Sequence, residues 1–169
     1  MKKTNVRKLA AAAMLVALTV VLSGFSIPVG ASKCFPIQHL VNVLAGVFLG
    51  PVYGVTAAFC TSLLRNLMGT GSLLAFPGSM IGALCCGLLY RRTKKLSLAY
   101  VGEVVGTGVL GGMLCYPVAK FLMGREAALF AYVLPFLIST LGGTLIAALL
   151  IAALKKTGAM EALGRMLKK

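Results

Sequence analysis

The sequence predicts an all-α membrane protein of six transmembrane helices with both termini in the cytoplasm. Three observations predict it. Of the 169 residues, 59% are apolar and only 12% are charged, and the mean hydropathy is +0.96. A soluble domain carries roughly 25% charged residues. This chain lacks the polar groups to cover a water-facing surface, so lipid is its fitting solvent. The second observation is a series of apolar runs broken by short polar stretches, giving spans at 9–27, 36–50, 52–67, 72–90, 97–118 and 127–154. The third is charge placement. Thirteen of the 17 lysines and arginines fall in three clusters, at 2–8, 91–95 and 155–169. Six spans bring all three clusters to one side, leaving Lys33, Arg65, Lys120 and Arg125 on the other. The positive-inside rule makes the clustered side cytoplasmic.

Each span has its own justification. The first, in MKKTNVRKLAAAAMLVALTVVLSGFS, has a basic start and an apolar core from Leu9 to Leu22. A secretory leader begins in the same way. The core is at the long end for a leader and no A-x-A site follows, so a retained span is favoured; cleavage would leave the other five spans unchanged. The second is short for a bilayer of about 30 Å, and is expected to tilt little or to share its outer end with a loop. Gly50-Pro51 makes an uncharged tight turn into the third. The fourth would have only 14 residues if it began at Pro77, so it is expected to reach back to Ser72 and kink at Pro77-Gly78. The fifth carries Glu103 near its inner end, and the sixth runs into Lys155 and Lys156. Residues 1–154 thus form one transmembrane domain. The remainder, 155–169, is a basic tail whose Met160, Leu163, Met166 and Leu167 share a helical face at the inner membrane surface.

Several function classes are excluded or weakened. The net charge of +14 suggests nucleic acid in a soluble protein, but its clustering at helix ends is a topology signal, so no nucleic-acid partner is expected. The five cysteines form no C-x-x-C pair and mostly lie in apolar runs, where they read as small packing residues. A single histidine rules out a multi-histidine metal centre, and no metal or cofactor is expected. No nucleotide-binding motif or catalytic constellation occurs, so the chain is not expected to be an enzyme. Gly69-Thr70-Gly71 lacks the lysine of a phosphate loop. The three acidic residues are Glu103, Glu126 and Glu161. Glu103 is expected to pair at the interface with the Arg91–Lys95 cluster; a proton relay is the sharper alternative.

Polar and helix-breaking residues collect on the outer side. Of the six prolines only Pro51 falls at the inner side; Pro28, Pro36, Pro77, Pro117 and Pro135 lie outward. Gln38, His39 and Asn42 sit at the outer end of span two, with Gln38 and Asn42 on one face. Arg65 and Asn66 close span three, and Thr70, Ser72 and Ser79 follow. Arg65 alone would read as a cation snorkelling at a helix C-terminus. The group as a whole reads as a small-molecule pocket open to the outside. Irregular backbone at membrane depth is tolerated where it lines a cavity, which gives 65–79 the role of a cavity-lining loop and broken helix. The candidate ligand-binding residues are Phe35, Gln38, His39, Asn42, Arg65, Asn66, Thr70, Phe76, Ser79 and Tyr116.

Small residues at i, i+4 spacing recur. Gly46/Gly50, Gly50/Gly54, Gly78/Gly82, Gly102/Gly106 and Gly108/Gly112 are expected to serve internal packing. Ala13 and Ala17 form A-x-x-x-A on span one, where internal packing and partner contact are both open.

The stretches PVGASKCFPIQHLVNVLAGVFLGPVYG (28–54) and RNLMGTGSLLAFPGSMIGALCCGLLYR (65–91) resemble the ThiW family. Its motifs here are FPIQHLVN, LGP and RN-x-x-GTG-x-x-LAFPGS, and the resemblance covers nearly the whole chain. ThiW proteins are substrate-binding S components of energy-coupling factor (ECF) vitamin transporters, assigned to hydroxyethylthiazole, the thiazole precursor of thiamine. The resemblance implies an S-component-like bundle in the bacterial cytoplasmic membrane with an outward pocket. It implies a module made of a transmembrane coupling protein and two ATPase subunits, with the S component toppling to carry its ligand inward. It also implies that Ala13 and Ala17 contact the coupling protein. The pocket residues are read from the sequence pattern, not from the resemblance.

Hydroxyethylthiazole is small, aromatic and neutral, and suits apolar walls with a few hydrogen-bond partners. Phe35, Phe76 and Tyr116 supply candidate walls. Gln38, His39, Asn42, Arg65 and Asn66 supply candidate partners. Thiamine is a cation that would favour carboxylates or Trp faces; the chain has no Trp and only Glu126 outside. Arg65 also permits an anion. The rivals are an S component for the pyrimidine precursor, thiamine or another vitamin, a self-sufficient carrier with Glu103 as its proton site, and a structural or assembly membrane protein with no ligand.

Overall fold

The computed structural model describes residues 6–24, 26–29, 32–126 and 128–168. Lys2, Lys3 and Lys169, counted in the charge clusters above, lie outside them. The helices are α1 (Val6–Val21), α2 (Pro36–Phe48), α3 (Pro51–Leu67), α4 (Ala75–Thr93), α5 (Leu96–Leu122), α6 (Val133–Lys156) and α7 (Ala159–Lys168). A two-stranded antiparallel ribbon, β1 (Ile27–Val29) and β2 (Ser32–Cys34), joins α1 to α2, pairing Ile27 with Cys34 and Val29 with Ser32. The fold is therefore helical apart from this ribbon, which the sequence reading did not foresee. The short α2 shares its end with the ribbon.

Helices α1 to α6 alternate in direction. Helices α2 and α4 form the centre; α1 and α3 pack on one side, α5 and α6 on the other. One end of the bundle carries the exposed Arg91, Arg92, Lys94, Lys95, Lys155, Lys156 and Arg165. The opposite end carries the ribbon and the 68–74 loop. Among the described residues three helices are long and apolar enough to cross a membrane: Val6–Gly24, Leu96–Leu122 and Val133–Lys156. The shorter Pro36–Phe48 is apolar and almost wholly buried.

The packing is that of a lipid-solvated bundle. On α6, Leu134, Ile138, Leu141, Leu145 and Leu149 are exposed, while Ser139, Thr140, Gly143, Thr144 and Ala147 face inward. Small inward residues let helix backbones approach closely, and leucines are left for the hydrocarbon. Close approach is strict at several glycines, two of them beside the buried polar groups. A Cβ on Gly143 would overlap the carbonyl of Pro36 and lie 2.7 Å from Cβ of His39. A Cβ on Gly82 would overlap the Thr107 hydroxyl and lie 2.9 Å from Oε2 of Glu103. Gly46, Gly54, Gly78, Gly102, Gly106, Gly108 and Gly112 also meet neighbouring helices, as expected of internal packing; Gly50 does not, having open space beside it and a φ of +91° at the turn before α3. Ala13 and Ala17 are exposed on α1, beside Met14, Leu18 and Val21.

Prolines mark helix starts more than kinks. Pro36 and Pro51 sit at the first positions of α2 and α3. Pro77 and Pro135 occupy the first turns of α4 and α6, where an N–H has no intrahelical partner to lose. The expected extension of span four to Ser72 with a kink at Pro77-Gly78 is therefore corrected. The helix starts at Ala75 and gains its length at the other end, reaching Thr93. Likewise α6 starts at Val133, not 127, after a turn over 129–132. Pro117 alone lies inside a helix. It is followed by π-helical turns at Val118–Leu122, and a longer π segment covers Val104–Gly111. Such wide turns accommodate the lost i→i−4 bond and recur at functional sites.

Helix α7 folds back against α1 and α2. Met160 and Leu167 pack on the bundle, Leu163 and Met166 stay exposed, and Arg7 Nη1 donates to the Met166 carbonyl at 3.2 Å.

Candidate ligand-binding site

The end of the bundle opposite the basic clusters holds two adjacent cavities with lining residues in common. The inner one, about 460 Å³ including the open space at its mouth, is lined by Phe35, Gln38, His39, Ser72, Leu74, Ala75, Pro135, Phe136 and Ser139. The outer one, about 1040 Å³ including open space, shares Phe35, Ser72 and Leu74 and adds Thr70, Arg125 and Tyr132 among others. The inner walls come from the starts of α2, α4 and α6 and from the 68–74 loop.

A buried line of hydrogen bonds runs beneath the inner cavity. Arg65, 1% exposed, donates from Nη1 to Gln38 Oε1 and from Nη2 to the Thr70 carbonyl at 3.2 Å. Its guanidinium lies 3.9 Å over the Phe35 ring. Arginine only donates, so Gln38 Oε1 is the acceptor and Nε2 faces Ser62 Oγ at 3.2 Å. Ser62 and Ser79 hydroxyls are 3.1 Å apart, and Ser79 Oγ donates to the Ala75 carbonyl at 2.7 Å. The hydrogen between the two serines therefore comes from Ser62. The line runs in one sense from Arg65 to the Ala75 carbonyl.

A second cluster surrounds Glu103. Asn42 Nδ2 donates to the Ser79 carbonyl at 3.1 Å and to Glu103 Oε1 at 3.0 Å. Thr107 Oγ1 donates to the same oxygen at 3.0 Å, and His39 Nδ1 lies 3.1 Å from it. Glu103 is fully buried. This corrects the expectation that Glu103 pairs with the Arg91–Lys95 cluster. It lies seven residues into α5, roughly 10 Å along the axis, and turns toward α2 and α4, while those cations are exposed at the tip. Donors alone surround Oε1 from Asn42 and Thr107, which is the environment of a carboxylate.

The loop after α3 is organised around the Arg65 carbonyl, which accepts from the backbone N–H of Thr70 and of Gly71, both at 2.9 Å. Asn66 Nδ2 donates to the carbonyls of Ser62 and Ser72 at 2.8 and 3.0 Å. Thr70 Oγ1 meets Ser23 Oγ at 3.1 Å, tying α1 to this loop. The stretch 65–79 is therefore the end of one helix, a cavity-lining loop and the start of the next, not a broken helix. Across the cavity, Ser139 Oγ accepts from the Phe35 N–H at 2.8 Å, and Cys34 Sγ meets the Pro135 carbonyl at 3.4 Å.

The candidate residues thus separate by position. Phe35, Gln38 and His39 line the inner cavity; Phe35 and Thr70 line the outer one. Arg65, Asn42, Ser79 and Asn66 form the layer behind them. Phe76 instead packs on Phe59, ring centres 5.6 Å apart, and Tyr116 accepts from Lys120 Nζ at 3.3 Å; neither is among the lining residues. Ser139, Phe136 and Leu74 line the cavity and were not foreseen. Ser139 had a signal: with Thr140 and Thr144 it is a polar group on the most apolar span. Phe136, one aromatic among many, had none.

A family model described as thiamine-precursor transporter protein (ThiW) matches residues 9–157. Among solved structures, one reported as "Structure and mechanism of the S component of a bacterial ECF transporter" has a similar fold, with a TM-score of 0.75 at 21% identity. The match covers 91% of this chain and 98% of that one. No curated protein matches the chain.

Proposed function

The chain belongs to the ThiW family of thiamine-precursor transporter proteins, and from that premise we propose that it is the S component of an ECF transporter for hydroxyethylthiazole. On this reading α1 to α6 all cross the bacterial cytoplasmic membrane, both termini are cytoplasmic and the cavity opens outward. ATP is hydrolysed on two partner subunits. The exposed Ala13/Ala17 face of α1 docks the coupling protein, and the segment 155–169 lies at the cytoplasmic surface.

The observation that carries the reading is the inner cavity with Gln38 and His39 in its wall. Its other walls, Phe35, Leu74, Pro135 and Phe136, are apolar. A small aromatic ring suits them. Gln38 uses one Nε2 hydrogen on Ser62, so a second remains for the thiazole nitrogen. No carboxylate lines either cavity among the described residues, which weighs against cationic thiamine.

The test is native mass spectrometry of the purified protein, followed by titration with hydroxyethylthiazole, the pyrimidine precursor and thiamine. Selective one-to-one thiazole binding is expected; binding of thiamine or the pyrimidine in its place would reassign the substrate. A second reading, a self-sufficient proton-coupled carrier, is favoured by one observation, the burial of Glu103 against His39. Uptake that survives loss of the ATPases and collapses with the proton gradient would establish it.

A further inference from the structure

The polarity of the hydrogen bonds around His39 bears on which ligands the cavity admits. Glu103 Oε1 accepts from Asn42 Nδ2 and Thr107 Oγ1. The Asn42 assignment is fixed, because the same nitrogen also meets the Ser79 carbonyl, which only accepts. An acid hydrogen on Oε2 would have no acceptor, since that atom is buried without a partner among the described residues, and one on Oε1 could pass only to His39 Nδ1 or the Thr107 hydroxyl. Two donors converging on Oε1 are the environment of a carboxylate, and with Glu103 in that form the hydrogen between it and His39, 3.1 Å apart, sits on Nδ1. That leaves Nε2 as the polar atom the ring can offer to the cavity it lines.

Charge balance decides what Nε2 does. Among the described residues the buried charged groups are Glu103, in contact with His39, and Arg65, in contact with its neighbour Gln38, one of each sign. With His39 neutral the buried core is balanced. An imidazolium would leave it one positive charge in excess, at a depth where unpaired charge is costly. A neutral imidazole hydrogenated at Nδ1 presents Nε2 as an acceptor. Arg65 lines neither cavity: it is 1% exposed, its face covers Phe35, and two of its five N–H donors are held by Gln38 and the Thr70 carbonyl.

We propose that His39 Nε2 is the acceptor by which the inner cavity selects a neutral ligand bearing a hydroxyl donor, and that this cavity excludes charged groups such as a phosphate ester; the cation Arg125 lines the outer cavity only. Glu103 is the positioning residue that fixes the ring's tautomer. The inference rests on the cavity being the ligand site and names the substrate form it takes.

The single histidine of the chain makes the test direct. The first measurement is 15N NMR of histidine-labelled protein in detergent or nanodiscs at neutral pH. A neutral ring protonated at Nδ1 is expected, with an Nε2 signal that moves when hydroxyethylthiazole is added. An imidazolium, or a hydrogen on Nε2, would overturn the proposal before any ligand is used. The second measurement titrates hydroxyethylthiazole, its methyl ether, the ethyl analogue lacking the hydroxyl, and its phosphate ester. The ether and the ethyl analogue are expected to bind about 10-fold more weakly, as for one lost hydrogen bond. The phosphate ester is expected to be weaker by about 100-fold or more. His39→Gln should reduce the preference for the alcohol, and the wild-type ligand series stands even if that variant does not fold. Equal affinity for alcohol and ethyl analogue, or tight binding of the phosphate ester, overturns this inference alone. Absence of binding by every compound removes the ligand-site reading, and this inference with it.

Discussion

The guanidinium of Arg65 lies 3.9 Å over the ring of Phe35 and so joins the end of α3 to the segment between the ribbon and α2. Phe35 lines both cavities, and the plane of Arg65 forms the support behind it. A planar, delocalised cation suits this stacking as a lysine does not. Arg65→Ala should therefore leave Gln38 Oε1 and the Thr70 carbonyl without their donor, at about 1–3 kcal/mol for each group unpaired. The expected result is a lowered Tm in detergent and affinity reduced about 10-fold or more. Arg65→Lys should fall between; a lysine variant equal to wild type in both measurements would show that the plane is immaterial.

Ser139→Ala removes the acceptor of the Phe35 N–H. One neutral hydrogen bond is worth about 1 kcal/mol, so ligand affinity should fall about 5-fold, with little change in Tm. Calorimetric titration reads the first and thermal unfolding the second. Unchanged affinity would detach Ser139 from the site.

Phe76→Leu and Tyr116→Phe should leave affinity unchanged, because both side chains lie away from the cavity linings. The sequence alone made them candidate walls, so this pair discriminates between the two placements. A clear loss of binding in either would return that residue to the site.

Gly82→Ala places a methyl group against Thr107 and Glu103. Overpacking of this kind costs about 1–3 kcal/mol, and here it also displaces the acceptor of His39. Both Tm and affinity should fall. A second substitution, Thr107→Ser, leaves the hydroxyl in place and should preserve both, which separates crowding from loss of the bond.

Ala13→Trp and Ala17→Trp alter an exposed face of α1, at positions that line neither cavity. Ligand binding by the isolated protein should be unaffected while uptake in cells is abolished. Loss of binding in the isolated protein would refute that separation of roles.

Local chemistry determined what the sequence could show by itself. Apolar run lengths and the placement of cations mark roughly where each helix lies, and they act locally; the prolines of the fourth and sixth helices proved to lie in first turns, which the sequence reading had not used. Polar residues gathered at one end identified Gln38, His39, Asn42 and Arg65 as a group, since a membrane leaves such residues no other favourable place. Tertiary structure decided which of them meet. Contacts such as His39 with Glu103 or Phe35 with Ser139 join distant helices and depend on the rotation of each helix about its axis. One residue turns a side chain by about 100°, so a boundary error of one or two residues moves a group from the cavity to the lipid. Glycines at close crossings, Gly82 and Gly143 above all, fix those rotations by backbone contact. That is why Glu103 turned inward to His39 and away from the nearby arginines and lysines that sequence proximity suggested.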